Sequence, residues 1–154
     1  MNKRKLLKAL RVVKLGDSIT VRGHRHQVDE VCDYEQDGEK WKNLVYHTCV
    51  TGGTEVALEI EGGKLRLWVE ASELRGKFTR PPRILEIEGE KAKPVEYRQK
   101  AKMTVTNKDG TEELDVVYSV YKMDENIRWA LEDWGEGIYV YVSQGQVAPE
   151  EVQV

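Results

Sequence analysis

The chain has 154 residues, a formal net charge of -3, and 40% hydrophobic against 33% charged residues. That balance fits a water-soluble single globule and speaks against a membrane-spanning bundle or a uniformly basic nucleic-acid binder. The charge is uneven, with six Lys or Arg and no acid in residues 1–14, and five acids and no Lys or Arg in residues 129–154.

Residues 3–13 place Leu6, Leu7, Leu10 and Val13 at helical spacing among Lys3, Arg4, Lys5, Lys8 and Arg11. Such a helix caps an open end of the sheet or frays, or else lies on an anionic membrane surface or docks a partner. Lys8 and Arg11 break the apolar run that a secretory signal needs, so a cytoplasmic location is expected. Two cysteines without a CxxC pair, Cys32 and Cys49, suit a reducing compartment.

Next, "SITVRGHRHQVDEVCDY" reads as a short strand, a turn at Arg22 and Gly23, and a longer strand that returns through "EQDGE" into "KWKNLVYHTCV". With the turn at residues 36–40, His26 opposes Cys49, and His24, His26, His47 and Cys49 share one face. Imidazole and thiolate are ligand types zinc prefers, which makes this face a candidate metal site; the plainer reading is a buried thiol with surface histidines. No other cofactor is expected.

In "TEVALEIEGGKLRLWVEA" two alternating runs flank Gly62 and Gly63, a hairpin in which Glu61 pairs with Lys64. Val56, Leu58, Ile60, Leu65, Leu67 and Val69 then form a core face, with Glu59 opposite Arg66 and Ala57 opposite Trp68 on the other face. The carboxylates of "EVALEIE" and "LEDWGE" read as solubilising charge. "GKFTRPPR" cannot run through a central strand and divides the chain into halves, 14–76 and 83–147.

A second hairpin, "AKMTVTNKDGTEELDVVYSVYKMD", turns at Asp109 and Gly110 with Lys108 opposite Thr111. Ala101, Met103, Val105, Leu114, Val116, Tyr118 and Val120 share its core face. In "RWALEDWGEGIYVYVSQG", Trp129 opposes Val142, Leu131 opposes Val140 and Asp133 opposes Ile138, which makes Trp129 a core residue. The other face carries Arg128, Ala130, Glu132, Tyr139, Tyr141 and Ser143, with Trp134 at the turn. Those aromatics are either exposed or covered by a loop, the N-terminal helix or the other half. A last helical turn is expected at "PEEV".

Three blocks, "KLGDSITVRGHRHQV", the Trp-bearing strand with "KLRLWVEAS", and "VVYSVYKMDENIRWALEDWGEGIYVYVSQGQV", resemble the bacterial domain-of-unknown-function family four-one-seven-eight over most of residues 14–147. The chain departs from that pattern at His26, where an aromatic is usual, and at Asp29 and Glu30, where a Gly often follows the Val. The resemblance implies no activity; it implies a setting near polyamine-synthesis enzymes and small membrane proteins.

The expected fold is all-β, with two antiparallel meander halves packed as a sandwich or small barrels and a short N-terminal helix. The alternative is a single up-and-down barrel, in which Tyr118, Trp129 and Val140 become cavity walls. No GxSxG, GxGxxG or GxxxxGK[ST] motif occurs, so catalysis and nucleotide binding are not expected. The function expected is a non-catalytic binding or scaffold module, monomeric or homodimeric, contacting a protein partner through an exposed face of Glu132, Trp134, Tyr139 and Tyr141. The alternatives are a carrier of a small cationic ligand held by carboxylates and aromatics, and a zinc protein.

Overall fold

The computed structural model describes residues 2–48 and 54–154. Helix α1 spans Lys3–Arg11, and the Asn2 side chain caps it by accepting the Lys5 N–H at 2.9 Å. β1 (Ser18–Val21) and β2 (His24–Gln27) form a hairpin whose turn residues, Arg22 and Gly23, both have positive φ, as a tight two-residue turn requires. β3 (Glu30–Gln36), β4 (Glu39–Thr48), β5 (Thr54–Glu61) and β6 (Lys64–Glu70) follow as one meander. After the Pro-rich bridge come β7 (Leu85–Ile87), β8 (Glu90–Asn107), β9 (Gly110–Lys122), β10 (Arg128–Asp133) and β11 (Ile138–Ser143). The expected helical turn is a 3-10 turn at Pro149–Glu151, and β12 (Val152–Gln153) then pairs with β1.

The two meanders close on each other. Around the wall the order is β3-β4-β5-β6-β11-β10-β9-β8, and β8 pairs with β3 to seal an antiparallel barrel of eight strands. The halves expected from sequence are therefore the halves of one barrel, closer to the single-barrel alternative than to a sandwich. The strand order departs from strict up-and-down winding only because the bridge carries the chain from β6 across to β7 and β8. β7 pairs with the start of β8, and β12-β1-β2 form a separate small sheet.

Both sides of the wall are covered. Outside β4, β5 and β6, the residues Leu44, Tyr46, Val56, Leu58, Ile60 and Leu65 pack beneath α1 and the small sheet. The apolar stripe of α1 is spent there, Leu10 being 0% exposed. No described helix is long and apolar enough to cross a membrane. Outside β9, β10 and β11, Tyr121, Leu131 and Val140 pack beneath the bridge segment, with Leu85, Ala92 and Phe78. The bridge is pinned by two hydroxyls: Tyr97 Oη donates to the Pro81 carbonyl at 2.9 Å and Tyr121 Oη to the Pro82 carbonyl at 2.5 Å. A third cluster, including Cys32, Met103, Val105 and Val116, fills part of the barrel interior.

Candidate functional site

The rest of the interior is a cavity of about 580 Å³, within the range of small-molecule sites. Strand alternation decides what it contains. β5 turns Val56, Leu58 and Ile60 outward to the helix-covered core and Glu55, Ala57, Glu59 and Glu61 inward. β6 contributes Lys64, Arg66 and Trp68, with Glu59 opposite Arg66 and Ala57 opposite Trp68. β3 adds Glu30, Cys32, Tyr34 and Gln36, β4 adds Trp41 and Asn43, and β10 adds Arg128, Ala130 and Glu132. The carboxylates of "EVALEIE" thus line the interior rather than a solvated face.

The aromatic face expected to meet a protein partner is also turned inward. Tyr141 is 9% exposed, Glu132, Trp134 and Tyr141 line the cavity, and Tyr139 packs against the interior cluster. The registers expected for "RWALEDWGEGIYVYVSQG" all hold, and it is the closing of the barrel that converts this face from surface to lining. Of the three residues named as cavity walls under the barrel alternative, Tyr118 lines the cavity, whereas Trp129 and Val140 pack outside the wall.

Glu132 is the best-anchored acid. Tyr34 Oη donates to its Oε1 at 3.1 Å and Trp134 Nε1 donates to the same oxygen at 3.0 Å. Burial raises its pKa and these two donors offset part of the rise. Burial also raises Glu55, with Glu30 adding to the effect, and pushes Glu59 up to about 7 with Glu61 adding to it. Burial lowers Arg66, and neighbouring Arg128 lowers it further. Aromatic rings fill the spaces between these charges: Tyr34 stacks on Trp41 at 5.2 Å, and Tyr118 meets Trp41 edge-on at 5.9 Å. Two polar atoms of the lining, Trp68 Nε1 and Asn43 Oδ1, have no hydrogen-bond partner of ordinary geometry among the described residues. Trp68 itself is 7% exposed. The Cys32 thiol is pushed well up by burial, then by Glu30, which disfavours a nucleophilic thiolate.

The candidate zinc face comes apart. The β3–β4 register is the expected one, Glu30 opposite Val45, but the chain leaves the barrel before β3, so β2 carries His24 and His26 into the small sheet. His26 stacks on Tyr46 at 4.2 Å, and His47 Nδ1 lies 3.0 Å from Asp29 Oδ2. Cys49 falls outside the described residues. Among the described residues no group of three His, Cys, Asp or Glu side chains is placed to hold a metal ion.

Comparison with family models, with curated proteins and with solved structures gives no match. The resemblance to family four-one-seven-eight rests on the three sequence blocks alone. Sequence reasoning missed Glu30, Glu55, Glu59, Glu61, Arg66, Trp41 and Trp68 as lining. One signal was available: a hairpin with a fully apolar face whose opposite face mixes acids with Trp suits a wall covered on both sides better than a solvated sheet.

Proposed function

We propose that the chain is a non-catalytic carrier that holds a small organic cation inside its barrel. The observation that carries this reading is the set of inward carboxylates, Glu55, Glu59 and Glu132, none ion-paired among the described residues, in a cavity walled by Trp41, Tyr34 and Trp68. A buried carboxylate is costly unless a cation offsets it, and aromatic rings add cation–π attraction once water is excluded. The protein-partner reading needed the same aromatics on the surface, so the carrier alternative takes precedence. The buried thiol of Cys32 suits the reducing, cytoplasmic setting expected from the sequence.

The test is calorimetry and thermal melting with hexylamine and with spermidine, at about pH 8 and about pH 5.5. Heat uptake or release and a raised Tm are expected at the higher pH, where Glu59 is mostly ionised, with weaker binding at the lower. Glu59→Gln with Glu132→Gln should abolish both signals. No signal from either amine at millimolar concentration, or binding untouched by the double variant, would overturn the reading.

A further inference from the structure

Asn43 brings to the inner wall an acceptor that no described residue meets. On β4 it faces the cavity between Trp41 and Val45, and its register partners are Cys32 on β3 and Glu59 on β5. The Cys32 thiol donates elsewhere, to Glu30 Oε1 at 3.6 Å, and the Trp41 ring is stacked on Tyr34 at 5.2 Å. Val45 offers no donor, and Glu59 once ionised offers only acceptors. Asn43 Oδ1 is therefore buried without a hydrogen bond among the described residues, which is costly for a carbonyl oxygen.

The two sides of Glu59 differ. From β6, Arg66 and the Trp68 indole N–H favour its ionised form. The Arg66 guanidinium itself leans toward β11, where Nη1 donates to Ser143 Oγ at 3.1 Å, and it lies over the Trp68 ring at 5.9 Å. From β4 comes only the Asn43 amide. Lys42, next in the chain, is turned outward and donates to the Arg11 carbonyl at 2.6 Å. The other bases of this part of the lining, Lys40 and Lys64, are exposed beside the two hairpin turns. Glu61, one inward position further along β5, adds another carboxylate. On the β4 side the wall around Asn43 is thus rich in acceptors and poor in donors.

Two kinds of cationic head can sit on a carboxylate among aromatic rings. A quaternary ammonium gains cation–π attraction but has no N–H to give, whereas a primary ammonium or a guanidinium gains both. We infer that the ligand's head is rich in N–H donors, a primary ammonium or a guanidinium, and that it bridges Asn43 Oδ1 and the Glu59 carboxylate, Asn43 being the residue that selects against fully alkylated cations. A quaternary head in that place would leave Asn43 Oδ1 buried and unpaired and would cover Glu59 without a charge-assisted hydrogen bond. This inference specifies the head group of the carrier reading and rests on that reading.

The test uses probes that share one charge and one hexyl chain: hexylamine, hexylguanidine and hexyltrimethylammonium, titrated by calorimetry at about pH 8. The guanidinium and trimethylammonium heads have equal numbers of heavy atoms, so comparing them separates hydrogen bonding from size. Wild-type protein should bind hexylamine and hexylguanidine roughly tenfold more tightly than hexyltrimethylammonium. In Asn43→Leu, near in shape but without the acceptor, that preference should shrink to about threefold or less. Asn43→Asp keeps an acceptor in the same place and should retain it. If Asn43→Leu does not melt cooperatively, the wild-type order decides alone. Hexyltrimethylammonium binding as tightly as the others, hexylguanidine binding as weakly as hexyltrimethylammonium, or a full preference in Asn43→Leu would overturn the N–H-rich head, while binding of any probe keeps the carrier reading. Binding of none would remove both.

Discussion

Glu59 ties the fold to the site in one side chain. Its folded pKa of about 7 lies above its ordinary value of 4.5, so between these values the native state binds more protons than the unfolded chain. Its stability contribution is therefore fully present below about pH 4.5 and is lost as pH rises through about 7, by up to roughly 3 kcal/mol for an isolated group. Glu59→Gln should raise the unfolding free energy, measured by urea titration, by about 1–3 kcal/mol at pH 8 and by far less near pH 4.5. An equal gain at both pH values would show that the Glu59 pKa is not raised on folding. On the proposed carrier reading the same substitution should also weaken amine binding, setting stability against function. Glu132 differs because Tyr34 and Trp134 hold it. Tyr34→Phe should cost about 1–2 kcal/mol in the same assay, and no loss would mean that the hydroxyl contributes nothing to holding the carboxylate.

Among the elements, β8 has the hardest task. Its 18 residues pair with β7, then β9, then both β9 and β3, and two register shifts between Pro94 and Gln99 bend it into that path. Arg98 takes a positive φ of 51° there, and its N–H is donated to Ser119 Oγ at 2.8 Å, a hydroxyl buried at 0% exposure. Ser119→Ala leaves that donor without its partner and should cost about 1–3 kcal/mol, a fall in Tm of several degrees by calorimetric scanning. A Tm within about one degree of wild type would mean that water replaces the hydroxyl. None of this irregularity was legible in the sequence, because a bulge depends on what the strand must reach. The hairpins were legible. The β5–β6 register follows from Glu61 opposite Lys64, and the β8–β9 faces hold although the turn falls at Lys108 and Asp109, one residue early. That shift moves the pairing by two positions in sum and leaves every side chain on its expected face.

At the scale of the molecule, the closing seam governs both the fold and the cavity it encloses. β3 pairs with β8 through contacts such as Cys32 with Val105, far apart in sequence, and no local pattern announces such a pairing. That is why the aromatic face of β10 and β11 read as surface: its registers are local, whereas its inward direction depends on the seam. It is also why the histidine face read as contiguous, since the departure of β2 into the small sheet is a tertiary choice. Each half alone would expose two unpaired edges and half of a polar interior. Residues 14–76 and 83–147, expressed separately, should therefore lack cooperative melting by circular dichroism and regain it only when mixed. A cooperative transition in either half alone would show that it folds without the seam.

Outward and inward positions of β5 alternate between Val56, Leu58 and Ile60, which anchor the helix-covered core, and Glu55, Glu59 and Glu61, which face the cavity. Residue parity thus separates the positions that hold the barrel together from those that line its cavity. Lineages descended from such a barrel can change the cavity lining by substituting one parity class and still inherit the scaffold through the other. Their sequences would diverge in a period-two rhythm along the same strand, invariant at even positions and drifting at odd ones.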